Sequence, residues 1–182
     1  MKKQTLLDEV QMLPLADLNS LEIANTFLKH LKGRKLTMED NPEHHLCVYT
    51  LPYHKQTKKI LIGHHIKANK WLAPGGHIDG LETLKQTATR EIREELAENL
   101  TEMQISDPFF VSISHITNSK PPRKCQTHYD IWIYFSLPTL DSVLDASEFY
   151  ESKWASLEEA IKLTTDQANK DALTKFSRII GM

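Results

Sequence analysis

Two periods of apolar residues divide this chain. Leu84, Ala88, Ile92 and Leu96 recur at every fourth position, the apolar stripe of an amphipathic helix. Thr83 followed by Gln86 is a capping-box pattern, so that helix is predicted to begin at Leu84. Lys85, Gln86, Thr89 and Arg93 fall on its wet side. A second helix is predicted from an Asp17 cap to Lys32, with Leu18, Leu21, Ala24, Phe27, Leu28 and Leu31 on one face and Gly33 as its stop. Ser156 opens a short helix through Ile161. Residues 166–180 form a terminal amphipathic helix with Ala168, Ala172, Leu173, Phe176 and Ile180 inward.

Runs of β-branched and aromatic residues predict strands at 45–51, 59–64, 71–73, 109–117, 127–137 and 151–154, the first two as a hairpin. Residues 1–15 are read as loose or a single helical turn, and 34–43, 66–70, 118–126 and 139–148 as polar connectors. The order of elements predicts an α/β domain with a mixed sheet between helices, its strand pairing left open. Residues 1–43 are read as an N-terminal helical extension packed on a core of 44–182. Its amphipathic helix leaves a homodimer contact as the alternative to that packing.

Composition narrows the class. The 182 residues suffice for one domain with a real core, and 40% hydrophobic with 25% charged residues is ordinary for a globular chain. A net charge of −2 argues against nucleic acid or an anionic membrane as partner. Cys47 and Cys125 lack metal-finger spacing and are read as thiols of a reducing compartment. No stretch has the length of a membrane span or the apolar core of a signal peptide, so a cytoplasmic location is expected.

The chemistry concentrates on the helix that begins at Leu84. Glu91, Glu94 and Glu95 stand at i, i+3 and i+4, and Glu91 and Glu95 fall at the edge of the apolar stripe. Most acidic strips are merely solvated faces. Here Gly75-Gly76 precedes the helix and lets backbone approach whatever the carboxylates hold. Like charges this close repel, so a hard divalent cation with oxygen ligands is the natural occupant.

Gly76, five residues, Glu82, seven residues, then Arg90-Glu91-Ile92-x-Glu94-Glu95 resembles the Nudix box, approached through Trp71-Leu72-Ala73-Pro74-Gly75-Gly76. The box usually closes with a glycine and an aliphatic residue. Ala97 and Glu98 stand there, so the helix is expected to run about two residues further, with Asn99 as its left-handed cap and Leu100 as the aliphatic contact. His64-His65-Ile66-Lys67, Trp71-Leu72-x-Pro74-Gly75-Gly76-His77-x-Asp79-Gly80 and His128-Tyr129-Asp130 further resemble a bacterial Nudix subgroup with a leading helical segment.

The resemblance implies a Nudix-type α/β/α sandwich with an N-terminal helix. It also implies a Mg²⁺-dependent pyrophosphohydrolase that cleaves a nucleoside diphosphate linked to another moiety. It makes Glu91, Glu94, Glu95 and the Gly75 carbonyl the ligands of one to three Mg²⁺ or Mn²⁺ ions. Arg90 is expected to orient Glu82 or Glu94. The general base is Glu91 or a loop glutamate, Glu148 or Glu151. Gly76, His77, Lys67 and His128 are the candidates to meet substrate, a small nucleotide or nucleotide derivative; His65 could line the same cleft. For Trp132 and Tyr134, on one strand face, core packing is preferred to stacking on a base. A non-enzymatic Nudix-like sensor or partner-binding module is the alternative, although such proteins commonly lose box glutamates that this chain keeps.

Overall fold

The computed structural model describes residues 5–33, 35–116 and 125–181. Most of residues 118–126, expected as a loop, lies outside the described residues. The rest forms a seven-stranded mixed sheet: β1 (His44–His54), β2 (Lys59–His65), β3 (Lys70–Leu72), β4 (Gly75–His77), β5 (Phe110–His115), β6 (Thr127–Ser136) and β7 (Phe149–Ala155). The sheet runs β3-β2-β1-β6-β5, with β4 also on β1 and β7 also on β2. β1 and β6 pair in parallel from His44↔Thr127 to Tyr53↔Ser136, and the other ladders are antiparallel. The hairpin of β1 and β2 joins at Tyr53↔Ile60 and His54↔Lys59.

Period-2 alternation in β1 and β6 feeds two cores. Leu46, Val48, Ile131 and Ile133 face one way, against Leu84, Ala88 and Ile92 of α4 (Leu84–Leu96). That core also takes Val10 of α1 (Thr5–Gln11), Leu15 and Leu18 of α2 (Leu15–Leu18), and Ala24, Phe27 and Leu31 of α3 (Leu21–Leu31). Leu51, Tyr53 and Trp132 face the other way, against α5 (Leu157–Leu163) and α6 (Gln167–Ile179). The layers are α/β/α.

Several local expectations are corrected. Ser20, not Asp17, caps α3: its hydroxyl accepts the Ile23 amide, and Leu15–Leu18 is a separate turn. The buried stripe is therefore Ala24, Phe27 and Leu31, with Leu21 and Leu28 exposed. Residues 5–11 are a helix rather than loose chain. The Gly75-Gly76 turn is strand β4, paired Tyr49↔Gly75, Val48↔Gly76 and Cys47↔His77. Two residues without side chains carry no strand pattern in sequence. They do let β4 lie close to β1: a Cβ on Gly75, whose φ is +147°, would stand 2.3 Å from the Val48 carbonyl oxygen.

Helix α4 is not extended to Asn99. It ends at Leu96, and Ala97 itself takes the left-handed cap conformation, φ 55° and ψ 21°, with its amide on the Arg93 carbonyl. The methyl side chain tolerates, at a cost, the conformation that glycine adopts freely. At the other end the Thr83–Gln86 capping box is formed, and Glu9 of α1 accepts the Leu84 amide at 3.0 Å. The extension thus satisfies one of the orphan donors that open α4.

Candidate active site

The first turns of α4 aim Arg90 at the end of β4, and the next turn presents the glutamates. Arg90 is the hub. Its Nε donates to Glu82 at 2.9 Å, Nη1 to Glu91 at 2.7 Å and Glu94 at 3.0 Å, and Nη2 to the His77 carbonyl at 2.8 Å. Asp79 lies 3.8 Å away. One guanidinium thus faces four carboxylates, those of Asp79, Glu82, Glu91 and Glu94. Burial works against the charge on Arg90, but its bonds to Glu82 and Glu91 outweigh that and raise its pKa. Burial also works against ionised Glu82, yet hydrogen bonds from Arg90 and Thr87 leave its carboxyl below the usual range.

Glu91 and Glu95 are only 8% and 5% exposed, whereas Glu94 is half exposed. Glu95 accepts the Gly75 amide at 2.7 Å, which ties helix to strand. Burial raises the Glu95 pKa well above the ordinary value, and repulsion from Glu91, Glu148 and Glu94 adds to it. Burial raises Glu91 likewise, against the attraction of Arg90. A side chain on Gly76 would have its Cβ 2.2 Å from Glu91 Oε1, so glycine here makes the space the carboxylate fills.

These residues fit a hard divalent ion. The donors are oxygens, two of the carboxylates are buried, and at Glu91 burial outweighs the attraction of the one guanidinium. Glu91, Glu94 and Glu95, with the Gly75 carbonyl, are the groups that could hold it.

The remaining expected residues fall elsewhere. Glu148 acts on Glu95 and is held by Lys67 at 3.3 Å, with His65 at 3.8 Å. Glu151 is exposed on β7, one residue before the Ser152↔Gly63 pair. His77 turns its carbonyl to Arg90, while its ring packs with those of His45 and His128 on the opposite sheet face from α4. His128 is thus grouped with His77, not with the glutamates. Trp132 is fully buried, stacked on Tyr49 and bonded through its indole N–H to Ser112.

Sequence reasoning missed the environment of Asp130, the last residue of the His128-Tyr129-Asp130 pattern: it is wholly buried on β6, and burial pushes its carboxyl up to about 8 against the hydroxyls of Ser114 and Ser112. It also missed that His45, Cys47, His77 and His128 converge. Alternation alone places His45 and Cys47 on one face of β1; only the β1–β6 register brings His128 opposite.

The NUDIX domain model matches residues 43–176, and the chain belongs to that family. No curated protein matches the chain in sequence. Among solved structures, the dihydroneopterin triphosphate pyrophosphohydrolase of E. coli superposes with a TM-score of 0.62 at 22% identity, covering 72% of this chain and 93% of that one. A MutT protein of Methanosarcina mazei gives 0.61 at 23%, covering 75% and 95%. An Ap4A hydrolase of C. elegans gives 0.52 at 24%, covering 74% and 98%. At these identities the likeness establishes the fold. Among the described residues no helix is long and apolar enough to cross a membrane.

Proposed function

We propose that this chain is a Mg²⁺- or Mn²⁺-dependent pyrophosphohydrolase acting on a nucleoside diphosphate linked to another moiety. The observation that carries the reading is the buried pair Glu91 and Glu95, both with raised pKa, packed around Gly75 and Gly76 and backed by Arg90. Structural neighbours include enzymes named for a pterin triphosphate and for Ap4A, which is consistent with a polyphosphate substrate.

In this reading Glu91, Glu94, Glu95 and the Gly75 carbonyl hold the cation. When bound, it supplies charge neutralisation at the phosphate oxygens and favours ionisation of a water. Arg90 fixes the rotamers of Glu82, Glu91 and Glu94 and touches no substrate, a positioning role. The Gly75 amide fixes Glu95. Of Glu148, just before β7, and Glu151, on β7, Glu148 is the one that interacts with Glu95, and we assign it, rather than Glu151, to accept a proton from the attacking water; Glu91 is the alternative base. Lys67 holds Glu148 in place. Gly76 leaves room for the Glu91 carboxylate against β4.

The test is phosphate and pyrophosphate release from a panel of nucleoside diphosphate derivatives with Mg²⁺ and with Mn²⁺. Glu94→Gln/Glu95→Gln serves as the control. Turnover by the wild type alone supports the reading. Turnover unchanged in the double variant refutes the assignment of the glutamates.

A further inference from the structure

On the sheet face opposite α4, three neighbouring strands bring soft donors together. Alternation along β1 sends His45 and Cys47 to the same side. Antiparallel pairing sets His77 of β4 across from Cys47, and parallel pairing sets His128 of β6 across from His45. One ligand atom from each of these four residues lies within 4.8 Å of all the others. Cys125, two residues before β6, adds a second sulfur: its Sγ is 3.9 Å from Nε2 of both His45 and His77. The three rings form a triangle with centroids 4.8, 4.9 and 5.1 Å apart and no parallel stacking, so their edges converge.

The tautomer of His45 is fixed by its neighbour. Its Nδ1 is 2.9 Å from the Asn41 carbonyl, which can only accept, so Nδ1 carries the proton. The bare lone pair is therefore on Nε2, the atom that faces Cys125. A ring N–H given to a backbone carbonyl, with the other nitrogen aimed inward, is the usual support of a metal-ligating histidine.

We propose that His45, His77, His128 and the Cys47 thiolate bind one zinc-class ion, with Cys125 beside them, at a site separate from the glutamates. The donor set decides the metal. Imidazole and thiolate suit Zn²⁺, whereas Mg²⁺ takes oxygen. Asp130, which follows on β6, is engaged by Ser112 and Ser114 instead. Tetrahedral zinc at its usual bond lengths separates sulfur from nitrogen by about 3.6 Å, so the four atoms need close by only about 1 Å. The alternative, three histidines packed as core, would replace on this face the apolar packing made by Leu51 and Trp132 further along. Binding converts one thiol to a thiolate and releases its proton to solvent.

The site is distinct from the carboxylates because β4 alternates: position 76 faces Glu91, while the ring at 77 faces the histidines. The experiment uses the full chain, stripped with a chelator and reloaded with zinc or cobalt. The expected result is one zinc retained per chain through gel filtration. The cobalt form should show the visible bands of tetrahedral Co²⁺ and a thiolate-to-cobalt charge-transfer band. His128→Ala should weaken zinc by more than the roughly 10–100-fold that loss of an outer partner costs. Cys47→Ser should remove the charge-transfer band, and Glu94→Gln/Glu95→Gln should keep the zinc. No retained zinc, or an octahedral cobalt spectrum without the thiolate band, overturns the proposal. So does zinc lost with the glutamate variant and kept with His128→Ala. A charge-transfer band that survives Cys47→Ser and disappears in Cys125→Ser overturns the assignment of the thiolate. The cobalt spectrum of the wild type decides the matter even where a variant fails to fold.

Discussion

Gly76→Ala isolates the geometry of the carboxylate site from its chemistry. The added Cβ would stand 2.2 Å from Glu91 Oε1, 2.6 Å from its Cδ and 2.9 Å from Oε2. Ordinary carbon–oxygen contact is about 1 Å longer than the shortest of these, so the carboxylate must retreat by about that distance. All three obstructing atoms belong to the end of one side chain, so the sheet need not move. Overpacking of this kind costs about 1–3 kcal/mol, which for a chain of this size lowers Tm by up to about 10 °C. The functional cost is larger. Glu91 would leave the Arg90 Nη1 bond, now 2.7 Å, and a displacement of about 1 Å in a catalytic group is worth roughly 100-fold in rate. The assay is kcat/KM on whichever panel substrate the wild type turns over, with Tm measured in parallel. Activity within threefold of wild type in a folded variant would refute the placement of Glu91 at the reacting phosphates.

Other outcomes follow from the same contacts. Ala97→Gly should stabilise the fold by about 1 kcal/mol, because φ of 55° strains a residue with a Cβ; a lowered Tm would contradict that reading. Arg90→Lys keeps a charge but cannot bridge Glu82, Glu91 and Glu94, so activity should fall at least about 10-fold, and Glu82→Gln should add little to it in a double-mutant cycle. Glu91 and Glu95 have raised pKa values in the folded chain. Above about pH 4.5 the unfolded state has therefore released protons that the folded state keeps, and stability without metal falls as pH rises through that window. A divalent ion favours the ionised carboxylates, so the Tm gain from Mg²⁺ should grow as the pH rises above about 4.5. A gain that shrinks with pH would mean that the ion binds elsewhere.

The elements with strong periodicity were legible in the sequence. The α4 stripe, its capping box and the long strand β6 each carry a repeated local signal. The spacing of Glu82, Arg90, Glu91, Glu94 and Glu95 identified the family because one helix holds the last four in a fixed frame and Glu82 stands just before its cap. What was not legible depends on glycine or on register. β4 has no side-chain alternation to read, since two of its three residues are glycine. Asn99 was a reasonable left-handed cap by residue type, but the helix ends where Leu96 completes its buried face, and Ala97 accepts the strain. Ser20 caps α3 because Asn19 leaves the helical line and donates its side-chain amide to Val111 of β5, a contact 92 residues distant. The convergence of His45 and His128 rests on a parallel pairing between strands more than eighty residues apart.

Strand β4 has three residues and two audiences. Gly75 and Gly76 answer to Glu95 and Glu91 on one side of the sheet, while the His77 ring answers to His45 and His128 on the other. The His77 carbonyl, meanwhile, is taken by Arg90. A rotation of this short peptide that suits the imidazole therefore shifts an acceptor of the guanidinium that aligns the acids. Variants at 76 and 77 will accordingly not combine as independent sites, and whatever occupies one face carries a coupling free energy to the other.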